Sequence, residues 1–184
     1  MKIIAIMITK LAAFGLRLIG RGGSLPGTIA LKIDPNILQK LQMSGPIVLI
    51  TGTNGKTSTA NMLTEAFLAD GKHVISNRKG DNLLAGVTTT MLTNADLRGR
   101  IKADAAVLEV DELNIPYIIK GLPVSALVVT NFFRDQLDRA KEMEQLISRI
   151  ENSISDFKGM LILNANDPNV VRLSDAAKHA KALY

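Results

Sequence analysis

The strongest chemical signal in the sequence is the segment TGTNGKTS at residues 51–58, which lies between an apolar run and a helical pattern. A Gly-rich turn that leads into a helix presents backbone N–H groups and the helix dipole to phosphate oxygens. Lys56 is placed to reach the β- and γ-phosphates of a nucleotide, and the Thr57 hydroxyl is placed to hold Mg²⁺. One position departs from the general pattern, because Ile50 stands where that pattern has its first Gly. The predicted phosphate-binding loop consists of Gly52, Thr53, Asn54, Gly55, Lys56, Thr57 and Ser58.

Two further polar residues follow apolar runs and are candidates for the same site. Glu109 lies near the end of the run AAVLEV, and a carboxylate is costly to bury there unless it is paired, bound to metal or hydrated. We predict that Glu109 faces the phosphate loop as a Mg²⁺ ligand, with a helix cap or a carboxylate at the rim as the alternative. Asn131 follows the apolar run 126–130 and is predicted to contact the nucleotide.

Three other acidic residues that follow apolar runs have simpler expected roles. Asp111 and Glu112 begin a helical pattern, where carboxylates favour the helix dipole, and we interpret both as structural. Asp167 precedes Pro168, which is the arrangement of a helix N-cap and first helical residue.

The elements that must position these residues alternate along the chain. Strands that are apolar throughout and are separated by helices indicate a parallel sheet covered on both faces. Such a sheet binds its ligand at the carboxyl ends of its strands. We therefore predict an α/β fold with a mostly parallel sheet and helices on both faces. The predicted strands are 46–51, 73–76, 105–110, 126–130 and 160–164, and the predicted helices are 57–69, 83–93, 112–120, 135–155 and 168–180.

The first 44 residues are expected to form a unit of their own before a domain at 45–184. Residues 2–20 predict an amphipathic helix, because Lys2, Thr9, Lys10 and Arg17 share one stripe and leave a broad apolar face. That face is expected to be buried against the domain, a partner or a membrane surface, and a signal peptide is the weaker alternative. Residues 20–28 predict a Gly/Pro-rich connector, and Asp34-Pro35 predicts the start of a short helix through Leu41.

Composition limits the classes of function. The chain has 22 cationic and 17 acidic residues, a net charge of +5 and no Cys, so disulfides and thiolate metal sites are excluded within it. With 4% aromatic residues and no Trp, a base-stacking surface is difficult to build, and we expect no nucleic-acid partner. The expected location is the cytoplasm, with the inner face of the membrane as a further possibility.

The loop TGTNGKT resembles the ATP-binding loop of the Mur ligase superfamily, and nearly the whole chain shares in the resemblance. Within that superfamily the sequence is most similar to the MurT group, the ligase-like subunits of lipid II isoglutaminyl synthases. The segments that carry this narrower resemblance are GRGGSLPG at 20–27, NRKGDNL at 77–83, LEVDE at 108–112, NFFRDQLDR at 131–139 and NANDP at 164–168.

The resemblance implies a function and a set of roles. The implied reaction is the ATP-dependent amidation of the D-glutamate α-carboxylate of lipid II to D-isoglutamine, through an acyl phosphate, in peptidoglycan biosynthesis. ATP and Mg²⁺ are the implied cofactors, and a GatD-like glutaminase that supplies ammonia is the implied partner. Lys56, Glu109 and Asn82 are the implied catalytic residues, and Thr57 and Glu109 are the implied metal ligands.

The sequence differs from the superfamily pattern at several points. Asp135-Gln136 stands where many members have Asp-His, and Glu151 lies near the position of their carbamylated Lys, which suggests Glu151 as a direct carboxylate or no such ligand. The roles of Asn77 and Arg78 remain open between loop structure and contact with phosphate or substrate. We expect an N-terminal fragment of a longer protein, with zinc only in the downstream segment, and little activity from this chain alone.

Two other functions remain as alternatives. The first is another Mur-type amide ligase, similar to folylpolyglutamate or poly-γ-glutamate synthetases, against which the strings GRGGSLPG and FFRDQLD argue. The second is a truncated, non-catalytic module that binds nucleotide or holds a partner without turnover.

Overall fold

Parallel strands form both sheets in the computed structural model, which describes residues 1–18, 23–77, 81–133 and 140–184. The main sheet has six strands in the spatial order β3-β5-β2-β6-β7-β8, and β1 pairs with β4 in a small separate sheet. The strands are β1 (Gln42–Met43), β2 (Ile47–Thr51), β3 (Val74–Ser76), β4 (Arg100–Ile101), β5 (Ala105–Glu109), β6 (Ala126–Val129), β7 (Met160–Leu163) and β8 (Lys181–Leu183).

Helices lie between successive strands of the main sheet. Single 3₁₀ turns at Leu38–Lys40 and Glu112–Asn114 complete the regular structure of the described residues. The helices are α1 (Lys2–Leu18), α2 (Leu25–Ile33), α3 (Lys56–Ala69), α4 (Leu84–Asn94), α5 (Ile115–Gly121), α6 (Ala140–Ile154), α7 (Pro168–Val171) and α8 (Leu173–Ala176).

The central strand β2 determines which residues meet at the carboxyl edge of the sheet. It lies between β5 and β6, and all these pairings are parallel. The register places Ile50 beside Glu109 and Thr51 beside Val129. Consequently the ends of β5 and β6 flank the segment that leaves β2, which is where a sheet of this kind binds its ligand.

Helices cover both faces of the sheet, as the sequence predicted. On one face α3 packs on a small apolar cluster that contains Val48, Ile50, Ala60 and Val107. On the other face α4, α5 and α6 enclose the larger core. Every residue of β2 and β5 is buried, which explains why these strands are apolar up to their last residues, Thr51 and Glu109. The face of the sheet that carries α3 is less covered near β7, where the Ile162 side chain is 37% exposed.

The five predicted strands are present within one or two residues of their predicted bounds, but two predictions near the N-terminus were wrong. Residues 25–28 belong to α2 and are not a connector, because Pro26 is tolerated in a first turn and Gly27 allows close packing on α4. A Cβ at Gly27 would lie 1.9 Å from the Ala85 carbonyl oxygen. Asp34 ends α2, so the predicted helix at 34–41 is reduced to the 3₁₀ turn.

The C-terminal helix prediction was correct only in part. Residues 168–180 form two short helices, α7 and α8, and the chain leaves the helical conformation at Ala177. It then runs beside β7 as β8, where Met160 pairs with Lys181 and Ile162 with Leu183. This strand was not predicted, since three residues that gain their hydrogen bonds from a distant strand leave little local pattern.

The N-terminal helix is present, but its broad apolar face is not packed on the rest of this chain. α1 contacts α2 and α4 through Ala5, Ile6, Thr9 and Ala13, which are buried. These residues share the main core with the sheet. The larger apolar side chains of the opposite face are exposed: Ile3, Ile4, Met7, Leu11, Phe14 and Leu18. No helix in the described ranges is long and apolar enough to cross a membrane.

The central strand should dominate stability. We expect Leu49→Ala, at a fully buried position of β2, to lower the free energy of unfolding by about 2–5 kcal/mol, because the deletion leaves a cavity beneath α4–α6. Ile162→Ala on β7 should cost about 1 kcal/mol or less, since its side chain is already partly in water. Urea denaturation of both variants measures the difference, and equal losses would contradict the central role of β2.

Candidate nucleotide phosphate site

Two glycines set the path of the loop between β2 and α3. Gly52 has φ +125° and Gly55 has φ +82°, which are conformations that other residues rarely adopt. A Cβ at Gly52 would also lie 2.2 Å from Thr130 Oγ1, so this position requires Gly for space as well as for φ. Gly55 is the N-cap of α3, and the N–H groups of Lys56, Thr57 and Ser58 behind it have no acceptor within the helix.

The end of β6 holds the loop in place. Asn131 accepts hydrogen bonds from the loop N–H groups, from Thr53 through its carbonyl (2.7 Å) and from Asn54 through Oδ1 (3.1 Å). Its Nδ2 donates to the Asn54 carbonyl at 3.0 Å, and Thr130 Oγ1 donates to the same carbonyl at 2.7 Å. The structure thus gives Asn131 a positioning role towards the loop, while its contact with nucleotide remains a prediction. Thr130 was missed, although its place at the end of an apolar strand was a usable signal.

Lys56 folds back over the loop that it follows. Its ammonium donates to the Gly52 carbonyl, to the Thr53 carbonyl at 3.2 Å and to Glu112 Oε1 at 3.5 Å. The side chains of Lys56 and Glu112 are only 14% and 12% exposed, so this ion pair is largely shielded from water. The cation therefore lies against the backbone of the loop that the sequence predicts to bind phosphate.

A carboxylate lies on the other side of the helix start. Glu109 is 6% exposed, and its two carboxylate oxygens have separate partners. The Thr57 hydroxyl donates to Oε2 at 2.8 Å, and Asn82 Nδ2 donates to Oε1 at 3.2 Å. The structure thus brings together three residues that the sequence assigned to catalysis or metal binding, from α3, from β5 and from the segment before α4.

Asn77 fixes the backbone that carries this carboxylate. Its Oδ1 accepts from the Glu109 N–H at 2.8 Å, and its Nδ2 donates to the Glu109 carbonyl at 2.7 Å and to the Asp81 carbonyl at 3.0 Å. Both ends of the buried amide are therefore occupied by backbone groups. Of the two interpretations left open for Asn77, the structure favours the structural one.

The two acidic residues after β5 have different roles. Asp111 caps the following 3₁₀ turn, since its side chain accepts from the Leu113 N–H at 3.0 Å, which agrees with its structural interpretation. Glu112 was also interpreted as structural, but its contact with Lys56 places it in the site. Sequence reasoning missed this residue, because the helix dipole alone accounts for a carboxylate at the start of a helical pattern.

A cleft of about 440 Å³ opens beside the loop, at the carboxyl ends of β6 and β7. Asp167 stabilises its floor: Oδ2 accepts from the Phe132 N–H at 2.7 Å, and Oδ1 accepts from the Asn169 N–H at 2.9 Å as the N-cap of α7. The N-cap prediction for Asp167 is thereby confirmed. The cleft is within the range of ligand pockets. Its lining consists of Asn54, Asn131, Phe132, Phe133, Asn164, Asn166, Asp167 and Pro168.

The remaining candidates lie away from this site or outside the described residues. Glu151 Oε1 accepts from Arg172 Nε at 2.9 Å, and Arg172 also binds Glu144. Hydrogen bonds from Arg172 lower the pKa of Glu144. The structure therefore provides an ion-pair partner for Glu151, and the metal-ligand hypothesis gains no support. Arg78 and Asp135-Gln136 lie outside the described residues.

The donor set at Glu109 fits a hard divalent cation. Thr57 Oγ1 and Glu109 Oε2 are oxygen donors 2.8 Å apart, close to the spacing of about 2.9 Å between neighbouring ligands of octahedral Mg²⁺. In the described part of the chain no cluster of three or more His, Cys, Asp or Glu residues could hold a metal by itself. A Mg²⁺ ion here would therefore rely on phosphate and water for its other ligands, as is usual for this ion.

The fold and the site define a parallel α/β domain with a Gly-rich loop at the carboxyl ends of its strands, an arrangement that suits a phosphate-bearing ligand. Residues 50–183 match the family of the Mur ligase middle domain, and the chain belongs to the Mur ligase family.

Curated relatives and a solved structure extend this result. The chain is 42% identical over 94% of its length to the MurT subunit of the lipid II isoglutaminyl synthase (glutamine-hydrolyzing) of Staphylococcus aureus strain COL. It is 36% identical over 84% of its length to the MurT subunit of Streptococcus pneumoniae strain R6. These alignments cover 39% and 34% of the relatives, so the chain spans less than two fifths of their length.

Among solved structures, a crystal structure of MurF from Acinetobacter baumannii superposes with a TM-score of 0.63 over 84% of this chain and 34% of that one. The identity is 21%, so this likeness concerns the fold.

Glu112 should oppose nucleotide binding. We expect Glu112→Gln to tighten the binding of Mg·ATP about fivefold, because the variant frees Lys56 and removes a negative charge beside the phosphate loop. Isothermal titration calorimetry measures the affinity. Asp70→Asn, which removes an exposed carboxylate at the far end of α3, is the matched control and should leave it unchanged. Weaker binding by Glu112→Gln would instead mean that Glu112 holds Lys56 in its productive place.

Proposed function

We propose that this chain is the ATP-binding part of a MurT-like subunit of a lipid II isoglutaminyl synthase. The observation that carries the proposal is the 42% identity to the Staphylococcus aureus MurT subunit, which extends over 94% of the chain and includes the phosphate loop. The proposed reaction is the ATP-dependent amidation of the D-glutamate α-carboxylate of lipid II to D-isoglutamine. The division of the chain into residues 1–44 and a central domain at 45–184 is part of the same proposal.

The phosphate loop binds the triphosphate of ATP in this proposal. The N–H groups of Lys56, Thr57 and Ser58 face the ligand at the start of α3, and the Lys56 ammonium exchanges its loop carbonyls for phosphate oxygens. Gly52 and Gly55 give the loop its shape, and Thr53 and Asn54 contribute through the contacts that tie it to Asn131.

Thr57 and Glu109 would hold a Mg²⁺ ion against the phosphates. When bound, such an ion neutralises charge that develops on the phosphoryl oxygens. Asn82 orients the carboxylate through Oε1 and leaves Oε2 to the metal side. The base of the nucleotide is assigned to the neighbouring cleft, where the exposed amide of Asn166 offers a donor and an acceptor and the exposed ring of Phe133 offers an apolar surface.

Two chemical steps follow from this assignment. A D-glutamate carboxylate oxygen attacks the γ-phosphorus of ATP, ADP leaves, and an acyl phosphate forms. Ammonia then attacks the acyl carbon, and inorganic phosphate leaves with the former carboxylate oxygen. The D-glutamate carboxylate and the γ-phosphate of ATP are both anions and must approach each other in the first step. We assign the screening of their repulsion to Lys56.

The substrate and partner in the proposal come from the relatives. The names of the MurT proteins specify a glutamine-hydrolysing synthase of which MurT is one subunit. A GatD-like glutaminase is therefore the proposed source of ammonia, and lipid II, a membrane-linked molecule, is the proposed acceptor. Such a substrate would bring the protein to the inner face of the membrane.

Lys56 provides the direct test of nucleotide binding. We expect Lys56→Ala to weaken the binding of Mg·ATP at least tenfold, because the phosphates lose their nearest cation. Lys72→Ala, which removes an exposed cation near the other end of α3, should bind like the unchanged chain. Calorimetry or a fluorescent ATP analogue gives both affinities. Equal binding by the two variants would refute the phosphate-loop assignment.

The reaction itself is tested with the full-length protein that contains this chain, together with lipid II, ATP, glutamine and a GatD-like glutaminase. We expect amidated lipid II, detected by mass spectrometry, to form in an amount equal to the ADP released, because one acyl phosphate is consumed for each amide. Glu109→Gln should lose at least 90% of this activity, since it removes the negative charge of the proposed metal ligand, while the amide oxygen can still accept from Asn82. ATP binding without any amide product would favour a non-catalytic nucleotide-binding module.

A further inference from the structure

The net charge of the chain is concentrated at its N-terminus. Residues 1–33 contain five cationic residues and no Asp or Glu. The other 17 cationic residues are equal in number to the 17 acidic ones, so the net charge of +5 belongs to this segment. A segment of one sign on an otherwise neutral chain indicates an oppositely charged partner.

The same segment carries the largest group of exposed apolar side chains on one described helix. Ile3, Ile4, Met7, Leu11, Phe14 and Leu18 fall within a stripe of about 100° on α1, which we term the apolar stripe. Leu11 is 68% exposed and Phe14 is 64% exposed. Exposed apolar surface of this extent marks an interaction site.

The opposite side of α1 fixes the orientation of the stripe. Ala5, Ile6, Thr9 and Ala13 pack on α2 and α4, and Lys2 Nζ donates to the Arg98 carbonyl at 2.7 Å. The helix is therefore held on the domain with the apolar stripe directed outwards. It cannot turn the stripe inwards without losing these contacts.

Cations border the stripe on one side. In the helical projection Lys10 and Arg17 follow its edge, and Arg17 is exposed in the last turn. Lys10 Nζ donates to the Thr93 carbonyl at 2.7 Å, which holds that charge beside the stripe. An apolar strip bordered by cations is the arrangement of helices that lie in the plane of an anionic membrane interface.

We propose that the apolar stripe of α1 docks on an anionic lipid surface, with α1 parallel to the membrane plane. A helix of 17 residues is about 25 Å long. It is shorter than the hydrocarbon core of a bilayer, which is about 30 Å thick, and it can lie in the interface. The choice of a membrane rests in part on the proposed function, since a lipid-linked acceptor lies at that surface. Contact between two copies is less suitable, because it would join cationic segments that contain no carboxylate.

Vesicle sedimentation tests the proposal with the whole chain. We expect binding to vesicles of equal parts phosphatidylglycerol and phosphatidylcholine, and at least tenfold weaker partitioning onto pure phosphatidylcholine. The double variant Leu11→Glu/Phe14→Glu should lose at least tenfold in partitioning onto the mixed vesicles. Arg17→Gln should lose about fivefold, the value expected for one cation near the surface.

The matched control is Met62→Glu/Tyr117→Glu, which places the same charges at exposed apolar positions of α3 and α5. It should partition within threefold of the unchanged chain. Equal losses in the control and in the α1 variant would overturn the proposal, as would the absence of vesicle binding by the unchanged chain. A dimer that dissociates in the α1 variant, without vesicle binding, would identify a second copy as the occupant and also overturn it.

Nucleotide binding separates this proposal from the proposed function. The α1 variant should bind Mg·ATP like the unchanged chain, and Lys56→Ala should still partition onto the mixed vesicles. Failure of the ATP-binding prediction would therefore leave the vesicle result interpretable. Loss of ATP binding in the α1 variant would show that it had lost its fold, and Arg17→Gln then decides the test.

Discussion

The need to keep one buried carboxylate satisfied organises the carboxyl edge of the sheet around β3 and β5. Glu109 is almost inaccessible to water, and an unpaired charge in that position would be strongly destabilising. Its partners come from distant parts of the chain: Thr57 and Asn82 bind the carboxylate, and Asn77 holds the backbone. Since these groups must converge on one residue, the positions of α3, β3 and the segment before α4 are fixed relative to β5.

Much of this arrangement could be predicted from the sequence, because its signals are local. The Gly-rich loop between an apolar strand and a helix specifies its own conformation through Gly52 and Gly55. Strands buried on both faces are apolar along nearly their whole length, which identified β2 and β5. The carboxyl ends of parallel strands share one edge, and this rule was sufficient to bring Glu109 and Asn131 to the loop.

The rest depends on contacts that leave no local pattern. Periodicity showed that α1 is amphipathic, but it could not show that the small face of Ala5 and Ala13 packs on α2 and α4. Gly27 suggested a connector, whereas its lack of a side chain serves close packing between two helices. Glu112 was assigned to the helix dipole, because its ion pair with Lys56 joins residues 56 positions apart. Asn77 likewise has partners that only the folded sheet brings near.

The ties between Asn131, Thr130 and the loop have a consequence for how a ligand is recognised. Four hydrogen bonds from the end of β6 hold the backbone of Thr53 and Asn54 in the described structure. The conformational entropy of the loop is therefore lost when the protein folds and not when a ligand binds. A phosphate group thus meets a loop that is already in its binding conformation. Because Asn54 and Asn131 also border the cleft, these hydrogen bonds tie the loop to the cleft. Discrimination among ligands then depends on how well one molecule fits the loop and the cleft together.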